Sequence, residues 1–230
     1  MPDGLAAHAD PHGHAPAHHP ALQHQFQTMQ QQQEAAILGM WIFLVTEILF
    51  FGGMFVCYVV YRTAYPDAWL SGSATLDVRL GAINTAVLIG SSLTMALAVH
   101  AAQAGQRRLL VAMLLLTMAL GGVFLGIKGV EYHHKWVENL IPGPGFDFHG
   151  HGAGVTGVQL FFALYFALTG MHALHMVIGM GLMANLVRQG TAGRFDAAYY
   201  TPVEMVGLYW HFVDIVWIFL FPLLYLLGRH

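Results

Sequence analysis

The sequence predicts an all-α, polytopic membrane protein built from five transmembrane helices in a bundle. Hydrophobic residues make up 57% of the 230 residues and charged residues only 9%, whereas soluble domains carry about 25% charged residues. The hydrophobic residues fall into five apolar segments, each long enough for the roughly 20 residues that one membrane crossing requires. A net charge of −3 and nine scattered Lys and Arg residues give no basic stripe, so nucleic acid is not an expected partner.

The first 34 residues differ from the rest of the chain. They are rich in His, Ala, Pro and Gln and contain no Lys or Arg, a composition typical of a disordered tail. Irregularly spaced histidines without cysteine favour a flexible extension over a Zn or Cu site. The segment also lacks the basic start and short apolar core of a cleavable signal. We therefore divide the chain into a disordered tail, 1–34, and a membrane domain, 35–230. The tail histidines are His8, His12, His14, His18, His19 and His24.

The five apolar segments define the membrane domain, and short, glycine-containing connections join them. An odd number of spans places the two termini on opposite sides of the membrane. Positive charges are divided equally between the two sides, so charge counting leaves the orientation open. Gly122 and Gly126 form a GxxxG pair, a spacing that suits close packing of helices in lipid. The segments are Ala35–Tyr61, Leu80–Ala102, Leu109–Val130, Val155–Val187 and Val203–Leu227.

The first segment places one acid, Glu47, among apolar residues. A carboxylate at the bilayer centre costs about 2.5–3.5 kcal/mol on insertion scales, so Glu47 is expected to be neutral, paired or turned toward other protein. The second segment supplies a candidate partner in Asn84, and the third supplies Lys128 and Glu131.

The fourth and fifth segments carry polar residues at helical spacing. His172 and His175 lie on one face of the fourth segment, together with Tyr165, because residues three or four apart are neighbours on a helix. That face should point into the bundle. In the fifth segment, polar residues at the same spacing form a stripe along one face, and tryptophans flank this stripe. Its members are Glu204, Trp210, His211 and Asp214.

Three functions are compatible with these positions. Membrane haem b needs axial histidine pairs, usually from two facing helices, and His100, His172, His175 and His211 are available, although two of them share one helix face. A transporter would place ionisable groups on broken helices, often within repeats. The third reading is a non-catalytic bundle that serves a larger complex. The sequence shows no nucleophile and base pair, phosphate loop or catalytic metal set, so neither catalytic nor metal-binding residues are assigned.

Five tracts occur in order along the membrane domain. They are LGMWIFLVTEILFFGGMF, INTAVLIGSSLTMALAVHAA, GVFLGIKGVEY, YFALTGMHALHMVIGM and VEMVGLYWHFVDIVWIFLFPLLY. In this combination they resemble the signature segments of the cytochrome c oxidase subunit III family, which is subunit 3 of the haem-copper respiratory oxidases, in its five-helix bacterial form. The resemblance covers about residues 35 to 228.

The resemblance implies an accessory subunit without redox centres, whose helices form a V-shaped cleft that holds phospholipid. Its partners would be oxidase subunits I and II, which carry the haem and copper, and a respiratory supercomplex is a further partner. In this family the subunit supports proton uptake by subunit I and protects the oxidase from inactivation. A bacterial inner membrane is implied, with the N-terminus cytoplasmic and the C-terminus periplasmic. The parent complex is a cytochrome c oxidase or, alternatively, a quinol oxidase or nitric oxide reductase.

The resemblance also implies roles for particular residues. Glu47 matches the family's buried glutamate, which carbodiimide reagents modify. Two departures bear on lipid contacts: the second segment ends in a single histidine where relatives often have two, and YYTPV precedes Glu204 in place of a His-bearing stretch. The other matching positions are expected to bind lipid or to form interhelical hydrogen bonds. They are Asn84, His100, Lys128, Glu131, His172, His175, Glu204, Trp210, His211 and Asp214.

Overall fold

The computed structural model describes residues 22–148, 154–197 and 199–226, and this part of the chain is built from helices. Five of them are long and apolar enough to cross a membrane, which confirms the predicted fold class. The V-shaped cleft stays a prediction. The helices are α1 (Met29–Ala64), α2 (Pro66–Ala74), α3 (Val78–Gln103), α4 (Arg107–Val137), α5 (Val155–Thr191) and α6 (Thr201–Phe221), and a π-helical turn, Pro222–Leu226, extends α6.

Helix α1 begins at Met29 rather than at the predicted Ala35. The Thr28 hydroxyl accepts a hydrogen bond from the backbone N–H of Gln31 at 3.1 Å, which is the usual arrangement at a helix N-cap. The glutamines that follow are good helix formers, so the helix continues beyond the apolar segment. The predicted tail histidines at positions 8 to 19 lie outside the described residues.

Helix α2 occupies a connection in which the sequence predicts no helix. It begins with Pro66, which is favoured at the first helical position. The buried Trp69 ring lies 5.6 Å from the Phe161 ring of α5. A Cβ on Gly157 would lie only 2.8 Å from the Cβ of Ala68. Helix α2 is therefore packed closely against the first turns of α5.

Two glycines end helices and set up antiparallel neighbours. Gly105 has a φ of +68°, and the next N–H, of Gln106, donates to the Ala101 carbonyl at 2.8 Å. This Schellman arrangement ends α3 and allows α4 to start at once. Gly193, with a φ of +73°, ends α5 in the same way through a bond from the Arg194 N–H to the Gln189 carbonyl.

Helix α6 lies at the centre and packs against α1, α3 and α5. Its Trp210 side chain is buried between two glycines: a Cβ on Gly179 would lie 2.8 Å from Trp210, and one on Gly121 would lie 3.0 Å from it. A Cβ on Gly122 or Gly126 would have no atom within 4 Å. The GxxxG pair therefore does not mediate helix packing within the described chain, and Gly121 does so in its place.

Candidate functional site

Glu47 pairs with a histidine of α5. Its Oε2 lies 3.1 Å from Nε2 of His175, and the two side chains are 18% and 12% exposed. Nδ1 of His175 lies 2.8 Å from the Met171 carbonyl. A carbonyl oxygen can only accept a hydrogen bond, so Nδ1 of His175 carries a hydrogen. The hydrogen bond between Nε2 and Oε2 of Glu47 then contains one further proton, which is carried by one of these two atoms. Tyr209 donates to the His175 carbonyl at 2.9 Å, and the Phe51 ring lies 5.2 Å from the imidazole.

A second cluster is built round a buried ion pair within α4. Nζ of Lys128 lies 2.9 Å from Oε2 of Glu131. Lys128 also donates to the hydroxyls of Tyr165, at 3.1 Å, and Tyr225, at 2.9 Å. Both tyrosines donate to Oε1 of Glu131, at 2.9 and 2.5 Å.

Aromatic rings enclose the charge of this ion pair. Nζ of Lys128 lies between 5.1 and 5.5 Å from the ring centres of Tyr132, Tyr165, Trp217 and Tyr225, within the range of cation–π attraction. The carboxylate and the ammonium are thus satisfied inside the bundle, as buried charges require. The cluster joins α4, α5 and the π-helical turn.

A polar seam joins α3 to α6. The Trp210 indole N–H donates to the Ser91 hydroxyl at 2.7 Å, and the Ser92 hydroxyl lies 2.7 Å from Nδ1 of His211. At the end of the same seam, the Gln103 amide donates to Glu204 at 2.9 Å. Such hydrogen bonds between membrane helices contribute about 0.6–2 kcal/mol each.

Asp214 is buried and lines the same cavity as Ser92. Two other predicted positions, Asn84 and His172, are buried without a hydrogen-bond partner among the described residues. The His172 ring instead packs against Phe124 and Trp217, at centroid distances of 5.4 and 5.2 Å. A buried polar group without a partner costs free energy, so these side chains do not stabilise the bundle through hydrogen bonds within the described chain.

In the structure the predicted residues lie at several separate locations and do not form one site. Glu47 and His175 form one pair and Lys128 and Glu131 another, while Trp210, His211 and Glu204 belong to the α3–α6 seam. His100 is exposed near the end of α3. The described residues contain no group of three or more His, Cys, Asp or Glu side chains placed to hold a metal.

Several polar contacts were not anticipated from the sequence. Ser91 and Ser92 receive the indole and the imidazole of α6, and Tyr225 reaches the ion pair from the last described turn. The serine pair lies at the middle of an apolar segment, which is a usable signal because polar residues in membrane helices tend to face other helices. The Tyr225 contact had no such signal, since the π-helical turn that aims it is not visible in the sequence.

Comparisons with known proteins find one family and many relatives. The model of the family "Cytochrome c oxidase subunit III" matches residues 21–229. Cytochrome c oxidase subunit 3 of Thermostichus vulcanus is 33% identical over 194 residues, which cover 84% of this chain and 88% of the relative. Cytochrome bo(3) ubiquinol oxidase subunit 3 of Pseudomonas aeruginosa is 31% identical, covering 84% and 85%. Quinol oxidase subunit 3 of Bacillus spizizenii is 30% identical, covering 87% and 92%.

Proposed function

Because the chain belongs to the cytochrome c oxidase subunit III family, we propose that it is the accessory third subunit of a bacterial haem-copper terminal oxidase. The observation that carries the proposal is the family match over residues 21–229, which includes all five membrane helices. The subunit binds subunits I and II, and the haem and copper that reduce oxygen belong to those partners. It has no redox centre of its own and lies in the bacterial inner membrane.

The proposed role is structural and proton-supportive. The Glu47–His175 pair, at 3.1 Å, joins α1 to α5 and is not fully enclosed by this chain. Beside subunit I, such polar groups and the phospholipid of a cleft would steady the water and carboxylate network at that subunit's proton entrance. Subunit III would in this way keep proton uptake rapid and the oxidase active through repeated turnovers.

Glu47 is the carboxyl that a carbodiimide should modify, because that reagent attacks a protonated carboxyl in an apolar site. A fluorescent carbodiimide applied to the purified oxidase should label this chain, and Glu47→Gln should remove the label. Glu204→Gln is the matched control, since Glu204 is also only partly exposed but is held by an amide, Gln103. Equal labelling of wild type and Glu47→Gln would contradict the assignment.

The proposed orientation places the α3–α4 turn and the α5–α6 connection in the cytoplasm. It is tested in a Cys57→Ser background, because Cys57 is the chain's single cysteine. Cysteines introduced at Gly105 and at Asn139 lie at opposite ends of α4. In intact cells an impermeant maleimide should label Asn139→Cys and spare Gly105→Cys, and the opposite pattern would reverse the orientation.

The first experiment is purification of the chain from its native membrane in mild detergent. Mass spectrometry then identifies the co-purifying subunits and phospholipids, and the stripped subunit is examined by reduced-minus-oxidised spectroscopy. A colourless chain, with a haem-copper subunit left behind, supports the proposal, and the remaining subunits indicate whether cytochrome c or quinol is the electron donor. A b-type haem band that stays with this chain would overturn it.

A further inference from the structure

Two adjoining cavities form a groove along the α3–α6 seam. Their volumes are about 450 and 420 Å³, and Ala96 and His211 belong to the walls of both. The first cavity extends to Glu204, in the first turn of α6, and the second extends to Asp214. At about 1.5 Å per residue along a helix, the groove covers roughly 15 Å of α6, from one end of the membrane span to its middle.

Three titratable side chains belong to the walls of this groove: Glu204, His211 and Asp214. The second follows the first by seven residues and the third follows the second by three, so one face of α6 presents all of them. Asp214 is only 3% exposed. A charge in the middle of a bilayer is costly, so the resting carboxyl is neutral and carries a proton.

The Ser92 hydroxyl of α3 connects this carboxyl to the imidazole. Its Oγ lies 2.7 Å from Nδ1 of His211, and the same hydroxyl interacts with the side chain of Asp214. Nε2 of His211 has no hydrogen-bond partner among the described residues, and the ring lines both cavities. A hydroxyl can accept one hydrogen bond while it donates another. The three side chains therefore form one chain that ends at Nε2 in the groove.

This chain has two protonation states in which both of its hydrogen bonds are kept. In the first, the carboxyl donates to Ser92, Ser92 donates to Nδ1, and Nε2 carries a hydrogen. When Nε2 gives its proton to a water molecule, the Ser92 hydrogen moves to Nδ1 and the carboxyl proton moves to Ser92. In the second state Nδ1 donates to Ser92, and Ser92 donates to the carboxylate. A water molecule that returns a proton to Nε2 reverses each transfer.

Polar groups at both ends of the first cavity suit water as its occupant. Glu204 accepts a bond from the Gln103 amide at 2.9 Å at one end, and Nε2 of His211 lies at the other. Each cavity is much larger than the roughly 30 Å³ that one water molecule occupies in the liquid. By contrast, a groove of about 230 Å³ between α1 and α6 is lined by apolar residues, among them Phe51 and Phe219, and suits lipid chains.

From these observations we propose that Asp214, Ser92 and His211 form a proton relay, through which a buried carboxyl exchanges its proton with water in the α3–α6 groove. The relay belongs to this chain alone, so it does not depend on the proposed function. It stores one proton at the middle of the membrane and releases it toward the end of the bundle that carries Glu204.

Infrared spectroscopy during transfer from ordinary to heavy water tests the relay, with the protein purified together with all its co-purifying subunits. The C=O band of a protonated carboxyl moves to lower frequency when deuterium replaces the proton, and Asp214→Asn identifies the band by removing it. Ser92→Ala should slow the exchange of this band by about tenfold or more, because the chain loses its middle member. Ser91→Ala is the matched control, since this neighbouring serine instead accepts from the Trp210 indole.

The imidazole and the groove are tested by the same measurement. His211→Phe keeps a ring but removes both nitrogens, and it should slow the exchange by a similar factor, whereas His172→Phe on α5 should not. Ala96→Leu narrows the groove where the two cavities meet and changes no polar group. It should also slow the exchange, and Ala173→Leu, on the half-buried side of α5, should leave it unchanged. Circular dichroism verifies the fold of each variant.

Each result decides for or against the relay. Slower exchange in Ser92→Ala, His211→Phe and Ala96→Leu, with wild-type rates in the three controls, supports it. Unchanged exchange in any of these three variants would overturn it, as would equal slowing in the matched controls or a wild-type band that does not exchange. If Asp214→Asn removes no carboxyl band, Asp214 is ionised and the relay is wrong. The identity of the co-purifying subunits tests the proposed function separately.

Discussion

Nε2 of His175 lies 3.1 Å from Oε2 of Glu47, and this bond crosses from α5 to α1. Its position is notable because α1 buries only Leu44, Phe51 and Tyr58. These three are spaced seven residues apart, the interval that keeps one seam of a helix facing its partner. Glu47 lies on the same seam between the first two of them. Helix α1 is therefore held by a narrow stripe in which the acid is the polar contact at mid-helix.

Replacing Glu47 tests how much of this attachment depends on the hydrogen bond. Glu47→Gln keeps a donor for Nε2, so the oxidase should assemble normally with at most a modest change in its rate of oxygen reduction. Glu47→Leu leaves Nε2 without a partner, which should lower the stability by about 1–3 kcal/mol. Unfolding of the purified complex and an oxygen electrode measure the two effects. Complete loss of oxygen reduction in a correctly assembled Glu47→Gln variant would contradict this expectation.

The Lys128–Glu131 pair should behave as a unit. Lys128→Met or Glu131→Gln alone removes one partner of a buried charge, so each should destabilise the chain by about 3–5 kcal/mol. The double variant Lys128→Met/Glu131→Gln leaves no uncompensated charge and should lose much less than the sum of the single changes. A double-mutant cycle by detergent-induced unfolding measures the difference. Additive losses would show that the two side chains are not coupled.

Much of the fold followed from the sequence, because hydropathy and length are sufficient to mark membrane helices. All five spans were predicted, and the observed ends extend beyond the predicted ones where a polar turn continues the helix. Thr28 and the glutamines after it extend α1 in this way. Helix α2 was missed because its apolar content is low and its burial depends on Phe161 of a distant segment.

The polar positions were harder to predict than the helices. The stripe on α5 correctly indicated that His172 and His175 face inward, yet it gave no means of telling that His175 meets Glu47 while His172 meets only aromatic rings. That difference depends on which helix lies opposite, which is a property of the whole bundle. The same reason explains why the sequence does not single out Gly121, the neighbour of the GxxxG pair, as the glycine that contacts Trp210.

The glycines around Trp210 provide a matched set of substitutions. Gly179→Ala and Gly121→Ala would place a Cβ 2.8 and 3.0 Å from the indole, so each should destabilise the bundle by about 1–3 kcal/mol, as overpacking does. Gly122→Ala, with open space at its Cβ, should leave the stability unchanged or raise it, because alanine is the better helix former. Thermal unfolding of the isolated chain in detergent compares the three. Equal losses at Gly121 and Gly122 would contradict the packing described for α4.

The two histidines of α5 should respond in opposite directions to the same substitution. His175→Leu removes the bonds to Glu47 and to the Met171 carbonyl and leaves a carboxyl unpaired, so the stability should fall by about 1–3 kcal/mol. His172→Leu removes an imidazole that has no hydrogen-bond partner among the described residues and replaces it with an apolar side chain between Phe124 and Trp217. Because an unsatisfied buried polar group is costly, the stability should rise by about 1 kcal/mol or more. Unfolding of both variants under identical detergent conditions measures the contrast. A loss of stability in His172→Leu would contradict this expectation.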